Sequence, residues 1–175
     1  MKLVKFKEVN LDDPFFDSLK ADYKGFEEWF SRKSDNDAYI QKKNDGSLQA
    51  FLYLKIEDEA ITDVIPNFPE AKRLKVGTFK IEAHNTKLGE RFVRMIMYHA
   101  LYEKVEEIYV TIFEKHVSLI NLLKKYGFEK KAIKGDTNNS ESVYVKSMKC
   151  YTVDICKDFP FIHTAGKNKY LFFPA

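Results

Sequence analysis

The alternation of apolar and polar positions changes period several times along the chain, and each change marks an element. Residues 2–9 set Leu3 and Lys5 against Val4 and Phe6, which predicts a first strand. In "LDDPFFDSLKADY" Asp13 suits a helix N-cap and Pro14 the first helical position, and Gly25 breaks the run. "FEEWFSRKS" then predicts a short helix with Phe26, Trp29 and Phe30 on one side. "DAYIQKK" and "LQAFLYLKIEDE" read as strands joined through Asn44-Asp45-Gly46-Ser47, a hairpin signal. The two prolines of "IPNFPEAK" predict a loop. "RLKVGTFKIEA" alternates again, with Leu74, Val76 and Thr78 in one row and Phe79, Ile81 and Ala83 in another. That change of row at Gly77–Phe79 points to a bulge, which glycine eases.

Further on, Leu88, Phe92, Met95, Ile96, His99 and Ala100 recur at helical spacing between Lys87 and Lys104. "EEIYVTIF" is apolar on both faces, as a strand deep in a sheet should be. Val117, Ile120, Leu123 and Tyr126 form a second helical stripe closed by Gly127. The stretch from Phe128 to Lys149 reads as a hairpin turned at Asn138-Asn139. The resulting order, β-αα-β-β-β-α-β-α-β-β, implies a mixed sheet with at least one parallel pair and helices on both faces. The fold class is α/β.

Composition narrows the class of protein. A chain of 175 residues makes one domain with a real core, and fifteen Phe with ten Tyr argue against disorder. The net charge of +3 is spread among interleaved Lys, Glu and Asp, so no basic stripe marks a nucleic-acid surface. Cys150 and Cys156 have neither zinc-ribbon nor CxxC spacing and read as ordinary thiols, which suits a reducing compartment. "MKLVKFKEVN" lacks the apolar core of a signal peptide, and no apolar run reaches membrane-spanning length. A soluble, cytoplasmic protein without a membrane partner is expected.

Chemistry enters between His84 and Glu129. Phe79 and Ile81 end a strand, Gly89 follows Ile81 by eight residues and opens a helix, and a second helix ends in Gly127-Phe128. With the order of elements, these residues resemble the GNAT superfamily of acyl-CoA-dependent N-acetyltransferases, from about Val4 to Lys149. Where that family has Arg or Gln and a final Gly or Ala in its loop, this chain has Thr86 and Arg91. Thr86 suits a helix cap. Arg91 either adds positive charge beside a phosphate or crowds the loop.

The resemblance implies acetyl-CoA as acyl donor, an amine-bearing acceptor and no metal. The donor's pyrophosphate would meet the amides of Lys87, Leu88, Gly89, Glu90 and Arg91, which have no intrahelical partner and sit at the positive end of a helix dipole. Its pantetheine arm would pair with the strand Phe79, Ile81, Ala83, and a backbone N–H of that strand would meet the oxyanion. Acetyl transfer also needs a base and an acid. Glu82, on the same strand, is the first candidate for the base, although a charged strand residue also reads as solvent-facing. Glu57, Asp58 and Glu59 would attract a cationic amine or simply form a solvated strand end. His84 is a further loop candidate, while His99 reads as a core histidine. At the two positions where the family carries an acid Tyr and an Asn, this chain has Leu123 and His116. Tyr126 and His116 are therefore the candidate acids. Tyr126 also reads as the end of the α-helical core stripe, and His116 as a polar helix start.

The chain divides into a domain of residues 1–149 and an aromatic-rich extension, 150–175, that includes Tyr151, Phe159, Phe161, Tyr170 and Phe172. Such a segment needs cover, from its own domain, from a further C-terminal domain or in a homodimer. Two functions fit: an N-acetyltransferase acting on a small amine, a protein amine or an aminoacyl-tRNA, or an acyl-CoA-binding or partner-docking module with little or no turnover.

Overall fold

A computed structural model describes residues 1–82, 87–135 and 140–149. Eight strands form one mixed sheet: β1 (Lys2–Lys5), β2 (Asp37–Lys42), β3 (Leu48–Ile61), β4 (Val64–Ile65), β5 (Phe68–Ile81), β6 (Glu107–Ile112), β7 (Glu129–Lys134) and β8 (Glu141–Ser147). Four helices accompany it: α1 (Asp17–Asp22), α2 (Phe26–Arg32), α3 (Leu88–Tyr102) and α4 (Val117–Lys125). The strand order is β1-β2-β3-β5-β6-β8-β7-β4. The pair β5–β6 is parallel, as the intervening α3 requires, and the pairs β1–β2, β2–β3, β4–β7, β6–β8 and β7–β8 are antiparallel. Among the described residues, no helix is long and apolar enough to cross a membrane.

The described residues form two compact units, 1–54 with 77–82 and 87–88, and 55–76 with 89–135 and 140–149. The fourteen-residue strands β3 and β5 each contribute to both. In the first unit the core is aromatic. Phe6 lies 4.7 Å from Phe30, 5.2 Å from Phe51, 5.1 Å from Tyr53 and 5.9 Å from Trp29, ring centroid to centroid. Phe15, Phe16 and Phe26 extend the cluster. The Asp13 cap is in place: its carboxylate accepts from the Phe15 amide at 2.9 Å, with Pro14 at the start of a 3₁₀ turn that leads into α1. Gly25, in the left-handed region, separates α1 from α2.

The second unit holds a smaller cluster of Ile61, Val64, Tyr109, Ala132, Val143 and Val145. There α4 ends as its sequence predicts. Gly127 has φ 81°, its amide donates to Lys124 O at 3.0 Å, and the Phe128 amide donates to Leu123 O at 3.1 Å. This paired arrangement satisfies the last carbonyls of the helix and needs a left-handed residue at its pivot. β6 is buried on both faces, with Ile108, Tyr109, Val110 and Ile112 all inside.

Several expectations are corrected. The first strand stops at Lys5, because the Phe6 and Lys7 amides turn to Asn36 O and Ser34 O and a 3₁₀ turn carries Phe6 into the aromatic cluster. The supposed loop at 65–72 contains the end of β4 and the start of β5. Pro69 is tolerated near the strand's beginning, and its carbonyl accepts from Arg73 Nη1 at 2.8 Å. Val117 is 58% exposed and does not join the stripe of Ile120, Leu123 and Tyr126, because it occupies the first turn of α4. In α3 the buried face includes Val93 and Met97, while Met95 and His99 are only half-buried. The half-buried His99 imidazole is held below its ordinary range by burial. The Asn138-Asn139 turn and the extension 150–175, with both cysteines, lie outside the described residues.

Candidate functional site

The parallel ladder between β5 and β6 runs from Arg73 opposite Glu107 to Val76 opposite Val110 and goes no further. β5 itself continues through Gly77 to Ile81. Gly77 is where the backbone presses against Tyr53: a β-carbon there would lie 2.7 Å from the Tyr53 ring. Three residues later the Lys80 ammonium reaches the Phe15 carbonyl, Ser18 Oγ and the Phe15 ring. β5 is continuous from Phe68 to Ile81 across the predicted change of row.

The candidate residues that follow are placed in turn. Phe79 and Ile81 are half-buried on β5. Glu82 is pinned through its backbone, the amide donating to Gln49 O at 2.9 Å, and its carboxylate pairs with Lys80 Nζ at 3.2 Å. Ala83, His84 and Thr86 lie outside the described residues. Lys87 and Arg91 are exposed, Leu88 is buried, and Gly89 and Glu90 are half-buried in the first turn of α3. Glu90 pairs with Lys125 at 2.6 Å, which joins the start of α3 to the end of α4.

His116 and Tyr126 flank α4. His116 is the half-buried N-cap residue, without a side-chain cap bond, and its carbonyl accepts from the Ile120 amide at 3.0 Å. Tyr126 is the C-cap residue and is buried. Ten residues at 1.5 Å each separate the two by roughly 15 Å along the helix. They cannot serve the same atom.

Sequence reasoning did not foresee the polar row built on Glu57. Among the three acids of that strand end, Asp58 and Glu59 are exposed, but the Glu57 side chain is only 8% exposed. Its carboxylate accepts from the Tyr109 hydroxyl and pairs with Lys55 at 2.8 Å and Lys75 at 3.6 Å. Burial pushes the Glu57 carboxyl upward, but the bonds from Lys55 and Tyr109 and the charge of Lys75 outweigh it and hold the group below its ordinary range. Burial and the adjacent carboxylate push the Tyr109 phenol well above its ordinary range. No local signal could have disclosed this pair, whose members are 52 residues apart.

Tyr109→Phe removes a donor from a buried carboxylate and is expected to cost about 1–3 kcal/mol at pH 7. Because Glu57 has a depressed value in the fold, its contribution is complete above the unfolded value near 4.5 and fades as pH falls through the folded one. The stability gap between wild type and Tyr109→Phe, read from urea melts, should therefore narrow from pH 7 to pH 3. A constant gap would remove Glu57 from the account.

The sequence matches no protein-family model and no curated protein. Solved structures do resemble the fold. An Arabidopsis thaliana NAA60 in complex with a bisubstrate analogue superposes with TM-score 0.59 at 12% identity, over 83% of this chain and 97% of that one. Chaetomium thermophilum Naa20, also with a bisubstrate analogue, gives TM-score 0.55 at 14% identity, over 83% and 84%. A GNAT family acetyltransferase from Elizabethkingia anophelis with acetyl-CoA bound gives TM-score 0.55 at 10% identity, over 84% and 97%. The mixed eight-stranded sheet, with β5 outrunning its parallel partner and leading into α3, is thus the GNAT acetyltransferase fold.

Proposed function

We propose that this protein transfers the acetyl group of acetyl-CoA to a primary amine by direct attack. The observation that carries the reading is the run from β5 into α3: the parallel ladder stops at Val76, and a glycine occupies the first turn of the next helix. Three of the structures with this fold hold acetyl-CoA or a bisubstrate analogue.

The residues fit the donor. α3 is a fifteen-residue helix, the positive end of its dipole lies at its first turn, and Gly89 brings no side chain there. Amides of Lys87 to Arg91 hold the pyrophosphate. The backbone of Phe79, Ile81 and Ala83 takes the pantetheine arm as an added strand, and an amide there stabilises the oxyanion. Glu82 removes the proton as the amine nitrogen bonds to the thioester carbon. The carbon–sulfur bond then breaks and the thiolate leaves, to be protonated by a nearby acid.

For that acid, Tyr126 and His116 are the candidates. Tyr126 is buried, which gives its ring a packing role. Tyr126→Phe is therefore expected to lower turnover less than about tenfold, below the usual effect of removing a general acid. A larger loss in a thiol-release assay would make Tyr126 the acid.

The same burial, with Leu123 at the family's acid position, favours a second reading: an acyl-CoA-binding module without turnover. Calorimetric titration with acetyl-CoA, followed by thiol release across a panel of small amines and peptides, separates the two. Tight binding with thiol release on one amine supports the enzyme. Tight binding with no release on any amine supports the module, and absence of binding defeats both.

A further inference from the structure

Lys80 occupies an unusual place for a lysine. Its side chain is 17% exposed, and its ammonium meets three acceptors: the Phe15 carbonyl, Ser18 Oγ at 2.8 Å and Glu82 Oε1 at 3.2 Å. The first two are hydrogen bonds and the third is an ion pair. Its Nζ also stands 4.7 Å from the centroid of the Phe15 ring. Two of these partners, Phe15 in the 3₁₀ turn before α1 and Ser18 in the first turn of α1, lie more than sixty residues away in sequence.

Stability alone does not explain the choice. A pair with a carboxylate that is 37% exposed contributes little, and an apolar side chain would cover Phe15 without desolvating a charge. What the lysine supplies is orientation. The Glu82 amide is fixed to Gln49 O and one carboxylate oxygen to Lys80, which leaves the second oxygen to accept a proton. A fixed ammonium beside the acceptor also disfavours a second cation, so the acceptor amine is held in its neutral, nucleophilic form.

We propose that Lys80 is a positioning residue for the acceptor side: it ties the Glu82 carboxylate to the start of α1, so that the base and the Phe15–Ser18 stretch keep one geometry. This rests on the reading of Glu82 as the base.

The test uses the full chain and an amine that the wild type acetylates. Glu82→Gln is expected to lower kcat about 100-fold. Lys80→Met should lower kcat by about tenfold or more, with acetyl-CoA affinity kept within about twofold, and the double variant should fall within about twofold of Glu82→Gln alone. In Lys80→Met the rise of kcat with pH should move to higher pH, because the acceptor ammonium loses a repelling neighbour. Lys80→Arg should recover part of the loss. Losses that multiply in the double variant, or a Lys80→Met defect wholly in acetyl-CoA affinity, overturn the proposal.

If Lys80→Met does not fold, Ser18→Ala removes a single acceptor. It should lower kcat by about two- to fivefold and add nothing on top of Glu82→Gln, whereas additive losses overturn the proposal. Full turnover in Glu82→Gln defeats the base assignment and, with it, the role given to Lys80. A wild type that turns over no amine defeats acetyl transfer itself. Amide exchange still decides the tether in that case: faster exchange in Lys80→Met at 14–22 and 80–82 together supports it, and faster exchange at only one of them overturns it.

Discussion

Gly89→Asp should abolish acetyl-CoA binding, with a dissociation constant raised by at least about 100-fold, while the apo protein keeps or gains stability. The two effects have opposite signs for one reason. A carboxylate in the first turn of α3 complements the helix dipole by about 0.3–1 kcal/mol, and replacing glycine relieves a helix penalty of up to about 1 kcal/mol. The same carboxylate repels a diphosphate brought to the same amides, and about 3 kcal/mol of repulsion is enough for a hundredfold loss. Gly89→Ala, which adds bulk without charge, should fall between. Calorimetry for binding and thermal melts for stability read the two signs separately. Unchanged affinity in Gly89→Asp would put the donor elsewhere, and a large drop in apo melting temperature would give Gly89 a packing role instead.

Phe6→Ala should cost about 3–5 kcal/mol of unfolding free energy, the range for emptying a phenylalanine site in a packed core. Phe6 is fully buried, and four aromatic rings stand within 6 Å of its centroid. Against a total of about 5–15 kcal/mol, such a loss leaves a marginal protein. Trp29, the single tryptophan and a neighbour of Phe6 at 5.9 Å, makes urea unfolding visible by fluorescence. A cost below about 1 kcal/mol would mean that the cluster closes over the gap.

The sequence disclosed whatever depends on neighbours along the chain. Asp13 before Pro14, the Asn-Asp-Gly-Ser hairpin and the Gly127-Phe128 helix stop each act within a few residues, and each stands where the pattern put it. What stayed hidden depends on distant partners. Phe6 leaves its strand because Ser34 and Asn36 take its turn's amides. Glu57 is buried because Tyr109 and two lysines satisfy it. Lys80 is held by Phe15 and Ser18, which no local pattern reports. Of the candidate site, spacing placed Phe79 and Ile81 on β5 and Gly89 in the first turn of α3. The acid was not, because Tyr126 and His116 differ in burial and in their distance along a helix, neither of which spacing reports.

The passage of β3 and β5 through both compact units bears on how the molecule can be divided. A fragment cut at Leu54 and Val76 would carry two severed strands with bare edges, and bare edges recruit other chains. Neither half is therefore a module that could be excised, swapped or inherited on its own.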